Sequence, residues 1–410
     1  MNRGGVAWRN RSVLNWGVRG ATALVAGWLA FMSVNQSLAA AIRKGDPARA
    51  HALASGDAVA AASLAIRLSG PDATRATRLA ADDLARAALR GDPTVVSGVA
   101  TLGINTQIRG DVVGARRIFA YAQRLSRREL LTELWSIEDA VGRGDVREAL
   151  RHYDIALRTS RQAPGVLFPV LASALGEAPI RTELTRTLAS KPEWSQLFIP
   201  FVAGNGSDPG AVARLFTDLR RARVAVPEDA SAVLISRLAD AGQPELAWRY
   251  YAVIRPGALR EGSRDPRFAA SPAIPTIFDW VANTDGSVTA SLQPARDGGT
   301  ISFSVPTGVG GLLMRQVQML PPADYRLVGH SAGVEGAPDT RPYWELACGG
   351  GAPLGRLVLP ASAQAGGQFS GTFRVPSGCA MQHLSLVARA TDAPAGLSGQ
   401  IDRVALTRIR

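Results

Sequence analysis

The strongest constraint on this chain is an internal repeat. Gly110-Asp111-Val112-Val113-Gly114-Ala115 recurs 34 residues later as Gly144-Asp145-Val146-Arg147-Glu148-Ala149. The correspondence runs on, with Phe119 over Tyr153 and Ala122 over Ala156. A fixed period of this size marks a stacked array of one supersecondary unit. Each unit reads as two helices joined by a tight turn. Gly110 and Gly144 take the left-handed backbone that ends one helix, and Asp111 and Asp145 cap the next. Ala115 and Ala149 admit close helix approach, while Phe119 and Tyr153 fill the wedge between hairpins. One hairpin cannot bury its own apolar face, so neighbours must stack on it. A third turn, Gly242-Gln243-Pro244-Glu245-Leu246-Ala247, is followed by the same spacing in Ala247, Tyr251 and Ile254.

Leu102-Gly103, followed by small, aromatic and small residues at these offsets, resembles the tetratricopeptide repeat (TPR). Two departures stand out: Arg127 occupies the family's usual proline position, and the second copy lacks Leu-Gly in its first helix. The resemblance implies a degenerate α-solenoid of about six hairpins. Its concave face would be lined by first-helix residues, here Ser97, Ala100, Ile104, Gln107, Leu134 and Glu138, and would receive a protein partner.

The order of the chain places this array between two other segments. Residues 1–20 carry Arg3, Arg9, Arg11 and Arg19 and no acid, so they read as a cytoplasmic basic segment. Residues 21–41 are an export segment with two readings. As one helix it is about long enough to span a bilayer. As a cleaved signal, its apolar core Ala21–Met32 precedes an A-x-A site at Ala39 and Ala41. The uncleaved anchor is the preferred reading, because the helical pattern continues straight on. Either way the bulk of the chain is expected in the periplasm, with the bacterial inner membrane as its location and a secreted periplasmic form as the alternative. Residues 42–257 are helical throughout, with Asp46-Pro47, Asp92-Pro93 and Asp208-Pro209 each a cap followed by proline at the first helical position. Residues 258–275, rich in Gly and Pro, read as a linker.

At residue 276 the pattern changes from a helical period to alternation. Strands are expected at 300–305, 312–319, 324–328, 342–348, 355–359, 369–375, 382–389 and 400–409, between Gly/Pro turns. The fold class is therefore multidomain, α then β: an N-terminal membrane or signal helix, a TPR-like α-solenoid, and an antiparallel β-sandwich over 276–410. Phe278-Asp279-Trp280, Pro322-x-x-Tyr325-x-Leu327, Trp344-x-x-x-Cys348, Val375-Pro376 and Cys379-x-x-Gln382-x-Leu384-x-Leu386 resemble jelly-roll, carbohydrate-binding-like modules. Together, the two resemblances imply an envelope protein tied to exopolysaccharide or capsule production. Tyr343 and Trp344 are adjacent on a strand and point to opposite faces. With Trp344 inward, Tyr343 is the candidate sugar contact, whereas Trp280 and Tyr325 read as core.

Charge and chemistry narrow the function classes. The chain carries 46 Lys and Arg against 34 Asp and Glu, and only Lys44 and Lys191 are lysines. Ten arginines and nine acids fall after residue 273, so nearly all of the +12 net charge sits in the helical part. No basic block interleaves with aromatics, so nucleic acid is not an expected partner. No cofactor or metal is expected, since the four histidines are scattered. Gly329-His330-Ser331-Ala332-Gly333 matches a nucleophile elbow, with Asp339 and His383 following in the right order. The elbow needs a helix after the serine, and Val334–Asp339 reads as loop, so the expectation is no enzyme. A hydrolase acting on envelope polysaccharide or ester groups remains the alternative. Cys348 and Cys379, the only cysteines, lie in the exported sandwich and are expected to form a disulfide.

Overall fold

Aspartates set where the helices begin. In this computed structural model, which describes residues 6–270, 272–283 and 288–409, the chain divides into two units, Met1–Pro164 and Gly165–Arg410. The first holds α1 (Val6–Ile42), α2 (Pro47–Leu53), α3 (Ala58–Leu68), α4 (Arg75–Gly91), α5 (Val96–Ile108), α6 (Val112–Leu125), α7 (Leu130–Gly142) and α8 (Val146–Thr159). Asp46, Asp57, Asp111 and Asp145 accept from backbone N–H groups in the first turns of α2, α3, α6 and α8. Gly110 and Gly144 sit at φ +90° and +71°, the left-handed turn that closes α5 and α7.

Consecutive helices pair as α3–α4, α5–α6 and α7–α8, and each pair packs on the next. The repeat residues are what the pairing buries. Ala115, Phe119, Ala149 and Tyr153 are all buried, and Phe119 stacks on Trp135 with ring centroids 4.3 Å apart. Gly103 is the complement of that stack: a Cβ there would lie 2.7 Å from the Phe119 ring. Polar contacts also cross between helices. Asp82 on α4, 1 % exposed, accepts from Asn105 and Arg109 of α5, both at 2.7 Å. Glu133 on α7 faces His152 on α8 at 2.6 Å, with neither side chain reaching water. His152 is thus an interior hydrogen-bonding group. Buried charge of this kind persists only where partners satisfy it.

α1 is apolar enough to span a membrane over Trp16–Ile42, with mean hydropathy 1.4, and is the one such helix among the described residues. Leu24, Trp28, Leu29 and Phe31 are exposed on it, while Ala39 near its end is fully buried with Ala50 and Ala60.

The second unit begins within α9 (Ala163–Ser173) and continues through α10 (Ala178–Ala189), α11 (Ser195–Asn205), α12 (Pro209–Arg221), α13 (Glu228–Asp240) and α14 (Pro244–Ile254). Phe168, Trp194, Phe198 and Phe201 form one aromatic cluster, the packing of the stretch that Pro192, Pro200 and Gly204 break in sequence. The third repeat turn has Gly242 at φ +70°, with Ala247 and Tyr251 buried. Its Gln243 makes no side-chain cap, and Pro244 opens α14 instead.

Ten strands follow among the described residues, in two antiparallel five-stranded sheets. They are β1 (Val281–Ala282), β2 (Thr289–Gln293), β3 (Thr300–Val305), β4 (Gly311–Gln318), β5 (Ala323–Ala332), β6 (Tyr343–Cys348), β7 (Pro353–Val358), β8 (Gln368–Val375), β9 (Gln382–Ala388) and β10 (Leu397–Arg408). One sheet runs β2-β3-β10-β5-β8 and the other β1-β4-β9-β6-β7. Eight were legible as alternation. β1 is too short to show a period, and β2 (Thr-Ala-Ser-Leu-Gln) is mostly polar. The core between the sheets is built from inward alternate positions, including Ile301, Phe303, Met314, Tyr325, Leu327, Trp344, Leu346, Leu384 and Leu386. Cys348 and Cys379 are bridged, with Cα atoms 5.5 Å apart, inside the range a disulfide requires.

Part of the stretch 258–275, expected as a linker, is instead held against the sandwich. Gly262 bridges to Thr407, and Ser263 N–H donates to the Leu406 carbonyl at 3.0 Å. Phe268 is fully buried in the core. Arg264 is buried too: it donates to the Phe278 and Val317 carbonyls and lies over the Trp248 and Phe278 rings. Burial pushes its guanidinium down to about 10. Tyr251 of α14 donates to Asp279 at 2.8 Å, and burial raises its phenol. A turn at Pro266-Arg267, with Asp265 and Phe268 in the left-handed region, folds this segment onto the sandwich, where sequence alone suggests a free spacer.

Candidate functional site

The sandwich core fixes which residues of the second sheet face outward. Trp344, Leu346, Leu384, Leu386 and Met314 are fully buried, so their strand neighbours on β4, β6 and β9 lie on the opposite face. Register then places these neighbours side by side. Tyr343 lies opposite Val387 on β9 and Val358 on β7. One row along, Arg315, Ser385, Glu345 and Arg356 stand in line across β4, β9, β6 and β7. The next row carries Val317, His383 and Ala347.

Tyr343 is the aromatic of this face, half-buried as its outward position predicts. Its ring is already engaged. The guanidinium carbons of Arg356, on β7, and Arg389, just beyond β9, each lie 4.9 Å from the ring centroid. Both cations are anchored. Arg356 Nε donates to Glu345 at 2.5 Å, which holds the guanidinium above its ordinary pKa. Arg389 donates to the Pro338 and Asp339 carbonyls at 3.2 and 3.1 Å. Arg315 is exposed and has no acidic partner among the described residues. His383, half-buried, is held below its usual pKa first by burial and then by Arg315, so it is neutral at pH 7.

The other expected site residues separate into core and surface. Trp280 and Tyr325 are core, and the Tyr325 hydroxyl donates to the Pro321 carbonyl at 2.9 Å. On the helical array, Ala100 cannot line a groove. It is fully buried with Ala115, Phe119 and Trp135, and Ile104 packs against the same cluster. The physical reason is that the Leu-Gly helix supplies the seat of the Phe119 ring, which turns those two positions into the hairpin. Ser97, Gln107 and Leu134 are half-buried, and Glu138 is exposed.

The elbow-like motif is not assembled as a triad. Ser331 is 1 % exposed and its hydroxyl donates to the Gly367 carbonyl. His330 points the other way on the same strand and pairs with Asp402 at 2.9 Å. His383 belongs to the other sheet, and residues 334–340, directly after Gly333, are coil, bend and turn where the elbow needs a helix.

Of the residues on this face, sequence reading named Tyr343 and not Arg315, Glu345, Arg356, Ser385 or Arg389. Their outward alternation is visible along each strand. Their convergence depends on the pairing of strands distant in sequence, which alternation does not encode.

No family model and no curated protein matches the chain. Among solved structures, the enzymatically active domain of tailspike protein 4 of bacteriophage CBA120 is similar over 35 % of this chain, at 14 % identity and TM-score 0.24; the chain covers 20 % of that one. The CBM22-1 xylan-binding domain of Xyn10C from Paenibacillus barcinonensis is similar over 37 % of this chain and 99 % of that one, at 12 % identity and TM-score 0.25. A carbohydrate-binding module from Cellvibrio mixtus lichenase 5A, in complex with cellotriose, is similar over 32 % and 98 %, at 12 % identity and TM-score 0.21. Likenesses this distant leave the site to be read from this chain's own residues. The fold itself defines a multidomain chain: an apolar N-terminal helix, helical hairpins, and an antiparallel β-sandwich that carries a disulfide.

Proposed function

We propose that this protein is a non-catalytic scaffold and binding protein of the bacterial envelope, anchored in the inner membrane by α1. In this reading the bulk of the chain is periplasmic and supports exopolysaccharide or capsule assembly. The TPR-like hairpins take a protein partner through Ser97, Gln107, Leu134 and Glu138. The sandwich takes polysaccharide on the outer face of its second sheet. The observation that carries the reading is that face: an aromatic ring, two carboxylate- or carbonyl-anchored guanidiniums, a serine and an imidazole on one side of rigid strands. Planar and hydrogen-bonding groups held by a sheet are what a polar polymer with apolar ring faces requires. The packing of Ala39 against Ala50 and Ala60 favours the uncleaved anchor, because cleavage at the A-x-A site would remove that contact.

Native gels containing soluble bacterial exopolysaccharides test this reading with the full-length protein in detergent. The wild type should be retarded, Tyr343→Ala should run as in a blank gel, and polymer length should not change on incubation. A wild type that no polymer retards overturns the binding role. A polymer shortened by the protein overturns the non-catalytic one.

A further inference from the structure

Neutral sugars and acidic sugars ask different things of a surface. A neutral pyranose stacks on a bare aromatic face and hydrogen-bonds at its rim. On this sheet the one outward aromatic among the described residues, Tyr343, is not bare, because Arg356 of β7 and Arg389, just beyond β9, both lie against its ring. A neutral sugar reaches that ring only by displacing a cation already stacked there, an interaction worth roughly 0.5–1 kcal/mol at exposed sites. An anion needs no displacement. Each guanidinium carries five N–H donors in a planar fork. Arg356 engages Glu345 and Arg389 engages two carbonyls, so both retain donors at their outer edges.

The charge of the face points the same way. On the strands of this face Glu345 is the one acid among the described residues and is taken by Arg356; the exposed Asp339 lies at the edge, beside Arg389, and Arg315 stands exposed on β4 without an acidic partner among the described residues. Three of the ten arginines after residue 273 gather here, in a part of the chain whose net charge is close to zero. The neutral His383 adds a hydrogen-bonding group and no charge. From Arg315 on β4 to Arg356 on β7 the sheet order is β4-β9-β6-β7. Three strand spacings put about 14 Å between those positions, the reach of an oligosaccharide and not of one sugar.

We infer that this face selects a carboxylate-bearing polysaccharide, a polyuronate, whose carboxylates meet Arg315, Arg356 and Arg389 across the strands. The inference rests on the polysaccharide-binding reading above and names the class of polymer. Arginine suits that class because its fork matches a carboxylate bidentately, which a lysine cannot do.

The test is a titration of the full-length protein against pairs of polymers that differ only in charge. Polygalacturonate and alginate are each compared with their methyl esters, and neutral xylan and dextran complete the set. Acid forms should bind and esters should bind at least about tenfold more weakly, with binding to the acids weakening as salt rises. Arg356→Gln and Arg315→Gln, at exposed positions outside the core, should each lose about tenfold for the acid forms. Thermal melts of both variants check that they fold as the wild type does. Equal binding of acid and ester, or binding of the neutral polymers alone, overturns the inference and leaves the polysaccharide reading standing. Binding of none of the six overturns both.

Discussion

Cys348→Ser/Cys379→Ser should lower the unfolding free energy of the sandwich by about 3–4 kcal/mol. The bridge joins residues 31 apart, and closing a loop of that size removes chain entropy worth roughly 3–4 kcal/mol from the unfolded state. The bridge also ties the end of β6 to the approach to β9 on a shared strand pair, where Cys348 lies opposite Gln382. Gln382 is fully buried; it accepts from Leu320 N–H at 2.9 Å and donates to the Cys379 carbonyl. Losing the bridge therefore loosens a segment with buried polar groups that rely on one geometry. Guanidinium titration of the full-length protein, followed by the tryptophans of the sandwich, measures the loss. A reducing agent added to the wild type should reproduce it. Unchanged midpoints in both experiments would show that the cysteines are not bridged in the folded protein.

Phe119→Ala should cost the helical array about 3–5 kcal/mol, the range for truncating a buried phenylalanine. The ring is 1 % exposed and stacks on Trp135 of the following hairpin, so its removal opens a cavity between two repeats. A companion substitution makes the test specific. Gly103→Ala places a Cβ within 2.7 Å of the Phe119 ring and should destabilise by about 1–3 kcal/mol through overpacking. In the Phe119→Ala background the same Gly103→Ala change should be tolerated, because the ring it would strike is gone. Additive losses in a double-mutant cycle would mean that the two positions do not meet.

Those two residues illustrate how much of the fold was legible. Glycine before aspartate, then alanine and an aromatic at helical spacing, fixes a turn, a cap and a wedge through local physics, so the hairpins could be placed from sequence. Alternation likewise exposed eight of the strands and the inward Trp344. What stayed hidden was long-range polar pairing. Asp82 and Glu133 are both interior and meet Asn105, Arg109 and His152 of neighbouring helices, contacts that no local pattern announces. The contacts of residues 262–268 were hidden for the same reason. The segment's composition is that of a spacer, and only the carbonyls around Arg264 and the pocket for Phe268 turn it into structure.

The candidate site was legible in one residue. Tyr343 follows from its adjacency to an inward Trp344, but its meaning changes once Arg356 and Arg389 are placed beside it. A bare tyrosine suggests stacking on any sugar, while a tyrosine with two guanidiniums within 4.9 Å of its ring centre suggests recognition of charge.

Hydroxyl-radical footprinting of the full-length protein, with and without polygalacturonate or alginate, tests the central claim most directly. It reads side-chain protection residue by residue. Protection should concentrate on Tyr343, His383 and Val387, on the outer face of the β4-β9-β6-β7 sheet, and should need about tenfold more polymer in Arg356→Gln. Protection confined to the helical array or to the β2-β3-β10-β5-β8 sheet, or no protection by either polymer, would contradict it.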